Sequence, residues 1–195
     1  MFRPLRLLGG CWRKVSGIPE IILIKKHQTT FEVAQYSKQY LGKDISDFFT
    51  FSFVRNPWDR QVSRFFAQRH TGKSFEAWIK DFEIRHDKGG GFEKIINDKN
   101  LFGRCDWPCY YWLCNEEGNL NDLNFIGRFE NLNEDFLHVC DVLKADPETM
   151  KLSERKLPHK NKSNRNHYRG YYNSYTKGVV KRLFERDIDA FSYAF

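Results

Sequence analysis

Apolar positions cluster most densely between Phe48 and Val54, where Phe-Phe-Thr-Phe-Ser-Phe-Val forms a near-continuous β-prone run. Such runs are buried on both faces of a parallel sheet, and the pattern predicts a strand over 48–54. The run ends at Arg55-Asn56-Pro57-Trp58-Asp59. There Asn56 can cap a helix, Pro57 fits a first helical turn, and Asp59 complements the positive end of the helix dipole. On that helix Trp58, Val62, Phe65 and Phe66 form one stripe facing the sheet and leave Ser63 on another face. Earlier, Ile21 to Ile24 followed by residues 25–30 reads as strand, loop and helix. Later, Asn131 or Asn133 caps a helix carrying Phe136, Cys140 and Leu143, and Val179, Val180, Leu183 and Phe184 make a second core stripe. Residues 85–91, which end in three glycines, read as a mobile surface loop. Alternation of strand-like and helix-like segments predicts an α/β layer architecture.

A chain of 195 residues suits one domain, with residues 1–20 as an atypical or truncated N-terminal segment and 21–195 as the domain proper. No apolar run approaches the roughly 20 residues of a membrane helix. The stretch from Leu5 to Gly10 is too short for a secretory apolar region, while an organelle transit peptide stays open. A soluble, cytoplasmic protein is therefore the expectation. Five cysteines are too few for a disulfide-built scaffold and predict free thiols. The spacing of Cys105, Cys109 and Cys114 does not match a zinc knuckle, so no metal is expected.

Charge narrows the class of partner. The formal balance of +7 suits an anion. The steepest gradient lies between Lys151 and Arg169, where seven basic residues face the single acid Glu154. This span is either a solvated loop or a lid over a polyanionic ligand, with Lys162 and Arg165 as cationic partners and Ser163 as a neutral donor. Arg55, at the carboxyl end of the strand, is placed where open α/β sheets bind ligands, beside a helix start whose free N–H groups suit a phosphate. Local pattern equally allows Arg55 simply to pair with Asp59 while Ser63 faces solvent. Arg128 and Glu130 read as a buried ion pair at the sheet edge.

The segment Phe-Val-Arg-Asn-Pro-Trp-Asp-Arg-Gln-Val-Ser, residues 53–63, resembles the 3′-phosphate-binding motif of the sulfotransferases that use the donor PAPS, in which an arginine and a serine eight positions later hold the 3′-phosphate. Arg55 and Ser63 match both positions. The resemblance extends through residues 125–136, His159 to Ser163, Tyr168 to Tyr172 and the ending 187–195, and it is to the carbohydrate sulfotransferase type. It implies a three-layer, P-loop-like α/β fold with a mainly parallel sheet. The sequence departs from that family at the front, where no loop like Pro-Lys-Thr-Gly-Gly-Thr-Ser, the cradle of the 5′-phosphosulfate, is found. Lys25, Lys26, Thr29 and Thr30 are the alternative cradle.

By this resemblance the chain transfers a sulfuryl group from PAPS to a hydroxyl, with a carbohydrate as acceptor and PAP as product, and needs no metal. Arg55, Ser63, Lys162, Ser163 and Arg165 are the donor-binding set. His27, in the Lys-His pair that related enzymes place ahead of the arginine motif, is the catalytic base, and Lys26 or Lys25 offsets charge on the leaving phosphate. His159 is the second choice of base. Two rivals remain: a PAP/PAPS-binding homologue or fragment impaired in catalysis, and a basic nucleic-acid-binding module using Tyr168, Tyr171 and Tyr172 for stacking. No usual nucleic-acid module is found in the sequence.

Overall fold

The computed structural model describes residues 28–67, 72–90, 106–143 and 164–195. Helix α1 (Thr30–Leu41) opens on a capping box: the Thr29 hydroxyl accepts from the Glu32 amide, and the Glu32 carboxylate accepts from the Thr29 amide. A 3-10 turn follows, and strand β1 (Phe51–Val54) then leads into helix α2 (Pro57–Ala67). Helix α3 (Phe75–Lys88) and the short α4 (Cys109–Trp112) precede strand β2 (Phe125–Arg128), which pairs parallel to β1. Parallel neighbours need a crossover, and the helices between them supply it. Helices α5 (Leu132–Val142), α6 (Ser174–Leu183) and α7 (Glu185–Ala190) complete an α/β domain.

The pairing register, Phe51 opposite Phe125 through Val54 opposite Arg128, is set at its start by a side-chain clasp. The Thr50 amide donates to Asn124 Oδ1 at 2.8 Å, and the Asn124 amide donates back to the Thr50 hydroxyl at 3.2 Å. Gly127 lies opposite Phe53, and a Cβ there would sit 2.5 Å from the phenylalanine ring. Any larger residue there forces the Phe53 ring to move. The strand is shorter than the 48–54 run predicts, and its burial is one-ended: Val54 is buried while Phe51 is 39% exposed. Among the described residues β1 has one neighbour, and an apolar cavity of about 780 Å³ is lined by residues of α1, β1 and α4.

Helix α2 is the hub of the core. Trp58 and Val62 are buried in one cluster with Phe75, Trp78, Ile79 and Phe82 of α3, with Val179, Val180, Leu183 and Phe184 around α6, and with Val54 of β1, so the stripe expected to face the sheet packs on the neighbouring helices as well. Phe82 and Phe184 stack with ring centroids 6.0 Å apart. The chain end closes the back of α2: Phe195 meets the Trp58 ring edge-on at 5.6 Å, and Tyr172 donates its hydroxyl proton to the Trp58 carbonyl at 2.8 Å. Tyr168, Tyr171 and Tyr172 all pack against this core rather than standing out as a stacking platform.

Three expectations need correction. Residues 85–88 are the last turn of α3 rather than a loop, because Arg85, His86 and Lys88 complement the negative helix end and His86 is buried on the side facing the core. Arg128 and Glu130 do not pair: Arg128 donates to the Phe191 carbonyl at 2.6 Å and lies over Tyr193, whose hydroxyl donates to Glu130. Each thereby braces the C-terminal segment from its own side. On α5, Val139 and Cys140 are buried but Leu143, just past the helix end, is 49% exposed.

Gln61 is fully buried on α2, and among the described residues neither its amide nitrogen nor its amide oxygen has a partner. An unsatisfied buried polar group costs about 1–3 kcal/mol. Gln61→Met, nearly isosteric and apolar, is therefore expected to raise the melting temperature, by about 2–4 °C for each kcal/mol gained in a domain of this size. Thermal unfolding followed by circular dichroism checks this. A lowered melting temperature would show that the amide is bonded to buried water.

Candidate functional site

Strand β1 delivers Arg55 to the carboxyl edge of the sheet, and α2 places Asp59 and Ser63 on the same side one and two turns further on. Arg55 Nε donates to Asp59 Oδ2 at 2.7 Å, with Nη2 2.6 Å from the same oxygen, and Nη1 donates to the Ser63 hydroxyl at 3.2 Å. The guanidinium lies over the Phe129 ring at 4.0 Å. Arg55 thus pairs with Asp59, as one local reading has it, but Ser63 is bonded to the guanidinium rather than simply facing solvent. Among the described residues three of the five guanidinium N–H groups are engaged, which leaves one on each terminal nitrogen for a ligand, and Ser63 keeps its own hydroxyl proton to donate.

Asp59 has a second partner. Its Oδ1 accepts from Arg165 Nη2 at 2.6 Å, across 106 positions of sequence. Arg165 is 13% exposed and Asp59 is 18% exposed, so the two guanidiniums and the carboxylate between them form a half-sheltered trio of net charge +1. The sequence placed Arg165 in the donor-binding set, and the structure brings it to Arg55 and Ser63 through Asp59.

The expected backbone donors at the start of α2 are not available. Asn56 Oδ1 accepts from the Trp58 amide at 3.0 Å and from the Asp59 amide at 3.4 Å, and the Asn56 carbonyl accepts from Arg60. The Asn56 amide itself donates to Glu130 Oε1 at 2.7 Å. A capped helix start spends the donors that a bare one offers. Anion binding here falls to side chains.

His27, Lys26, Lys162 and Ser163 lie outside the described residues, as do Lys25 and His159. The alternative cradle loses its hydroxyls to the fold: Thr29 caps α1, and Thr30 donates to the Trp112 carbonyl at 3.0 Å. Cys109, Cys114 and Cys140 are free thiols. Burial pushes the Cys109 thiol up and the Cys114 thiol to about 11, the opposite of an activated nucleophile. Tyr172, behind α2, is likewise pushed up by burial and then by the charge of Asp59, so it stays a neutral donor to the Trp58 carbonyl.

Sequence pattern missed Phe129. It falls beneath Arg55 because the register that ends at Val54 and Arg128 makes Arg55 and Phe129 the next pair along the two chains. Only knowledge of the strand partner reveals that contact.

The profile described as the Sulfotransferase family matches residues 7–194. This chain belongs to the sulfotransferase family. Arg55 and Ser63, read from the sequence as that family's paired anion residues, are hydrogen-bonded to each other in this sulfotransferase-family fold. Carbohydrate sulfotransferase 10 of Xenopus laevis is 25% identical over 216 residues, an alignment covering 97% of this chain and 60% of that relative. The chain thus spans less than two thirds of the relative's length. No solved structure matches it. Among the described residues no helix is long and apolar enough to cross a membrane.

Proposed function

We propose that this sulfotransferase-family chain transfers a sulfuryl group from PAPS to a hydroxyl of a carbohydrate. The observation that carries the reading is the fixed Arg55, held by Asp59, Ser63 and Phe129 with two N–H groups left for a phosphate. The donor's 3′-phosphate sits against Arg55, Ser63 and Arg165, whose charges and donors fit a dianion. Lys162 and Ser163 extend that contact. The fold of residues 21–195 is the three-layer, P-loop-like form, and residues 1–20 are an atypical N-terminal segment, of which the family match takes in residues from 7 onward.

In the reaction the acceptor oxygen attacks sulfur in line, the bond from sulfur to the phosphate oxygen breaks, and the acceptor's proton passes to His27. A histidine is suited to this because its ordinary pKa lies near neutrality. Lys26 offsets the charge left on the phosphate. No metal takes part in the proposed step.

A second reading, donor binding without efficient transfer, is favoured by the engagement of Thr29 and Thr30 in the fold, which removes their hydroxyls from a phosphosulfate cradle. Two measurements test and separate these readings. PAP is expected to raise the melting temperature clearly, by about 2.7 kcal/mol of stabilisation at 100 times its Kd, and adenosine 5′-phosphate much less. Equal shifts would remove the 3′-phosphate site. Transfer of labelled sulfate from PAPS to an oligosaccharide then distinguishes an enzyme from a binding protein.

A further inference from the structure

We propose that Asp59 is the positioning residue of the anion site, holding Arg165 beside Arg55 and so coupling the chain's C-terminal segment to the donor's 3′-phosphate. This rests on the donor-binding reading above. Two guanidiniums that converge on one phosphate repel each other before it arrives, and a fixed carboxylate between them removes that penalty. Asp59 has the required geometry: one oxygen faces Arg55 and the other faces Arg165, both at 2.6 Å. It is also held rigidly, since it sits in the first turn of α2 with its own amide donating to the Asn56 cap.

Simple charge counting points the other way, because a carboxylate in an anion site opposes anion binding. The hydrogen bonds decide between the two views. Asp59 takes the side edge of Arg55, formed by Nε and Nη2, and leaves the outer N–H groups for the ligand. Phosphate and carboxylate therefore use different edges of the same guanidinium. Arg165 precedes the 3-10 turn Tyr168–Tyr171 and lies outside any helix, so its approach to the site depends on side-chain contacts more than on backbone. Neutralising Asp59 sets the two cations against each other and weakens the grip on the phosphate even as the site gains positive charge.

The test is calorimetric titration of the full chain with PAP and with adenosine 5′-phosphate, for wild type, Asp59→Asn, Asp59→Glu, Arg165→Ala and the double variant Asp59→Asn/Arg165→Ala. Asp59→Asn is expected to weaken PAP binding about tenfold, the scale of one charge-assisted hydrogen bond, with a much smaller change for adenosine 5′-phosphate. Arg165→Ala should do the same, the double variant should be no weaker than either single one, and Asp59→Glu should recover most of the loss. Unchanged or tighter PAP binding by Asp59→Asn, or additive losses in the double variant, overturns the proposal. Should Asp59→Asn not fold, an Arg165→Ala loss under threefold overturns it equally. A wild type that binds both nucleotides alike sinks the donor reading and this inference together, whereas a wild type that discriminates alongside an Asp59→Asn that still does so sinks this inference alone.

Discussion

Arg55→Ala is expected to lower affinity for PAP by about a hundredfold or more and to erase the preference for PAP over adenosine 5′-phosphate. Two charge-assisted hydrogen bonds to the 3′-phosphate are lost, each contributing about 1.5–3 kcal/mol, and about 2.7 kcal/mol already corresponds to a hundredfold. The substitution also strips Asp59 of one of its two cations, so a half-sheltered carboxylate paired with Arg165 then faces the incoming phosphate. Arg55→Lys separates these effects. It keeps the charge but loses the planar fork and the stacking over Phe129, so its affinity should lie between wild type and Arg55→Ala. A change of less than threefold in Arg55→Ala would place the 3′-phosphate elsewhere.

What the sequence disclosed about this site follows from how locally each feature is determined. The strand end, the Asn56 cap, the buried stripe of Trp58 and Val62, and the proximity of Arg55 to Ser63 are all fixed within eleven residues by helix periodicity and turn chemistry, and all stand in the structure. Misreadings arose where partners are remote or where two local rules compete. Three consecutive glycines compete with the helical stripe of Phe82 and His86, and pattern alone reads the last turn of α3 as loop. Arg128 and Glu130 look like partners two positions apart on a strand, yet Phe191 and Tyr193, more than sixty residues on, claim them instead. The helix start looked open to phosphate because the cap that makes it a good helix start also consumes its donors. Charge alone singles out Arg165, but its route to Arg55 through Asp59 requires the tertiary fold.

The largest expected effect on stability lies at a residue with no place in the proposed chemistry. Asp187 is fully buried on α7, and its carboxylate accepts from the Cys109 amide at 2.8 Å and from the Tyr110 amide at 2.7 Å. Those are the first amides of α4, a four-residue helix that follows Pro108 and has no side-chain cap of its own. A distant aspartate thus caps α4 and ties it to the end of the chain. Asp187→Ala leaves two buried donors unsatisfied and is expected to destabilise the fold by about 3–5 kcal/mol, a large share of the 5–15 kcal/mol typical of a domain. Asp187→Asn keeps the shape and one acceptor, so it should lose about half as much. The two variants also separate charge from shape. Burial pushes the Asp187 carboxyl above the usual carboxylate range, against the opposing pull of the two amides and of Arg60. Folding therefore takes up a proton at pH values between the ordinary carboxyl pKa and the raised one, and the stability this group contributes is fully present below the ordinary value and is lost as pH rises through the raised one. Asparagine does not titrate, so its deficit relative to wild type should be greatest in acid and shrink as pH rises. Urea unfolding of wild type and Asp187→Asn across that range measures the difference directly, and a deficit that grows with pH would show that the carboxylate is held charged by its donors.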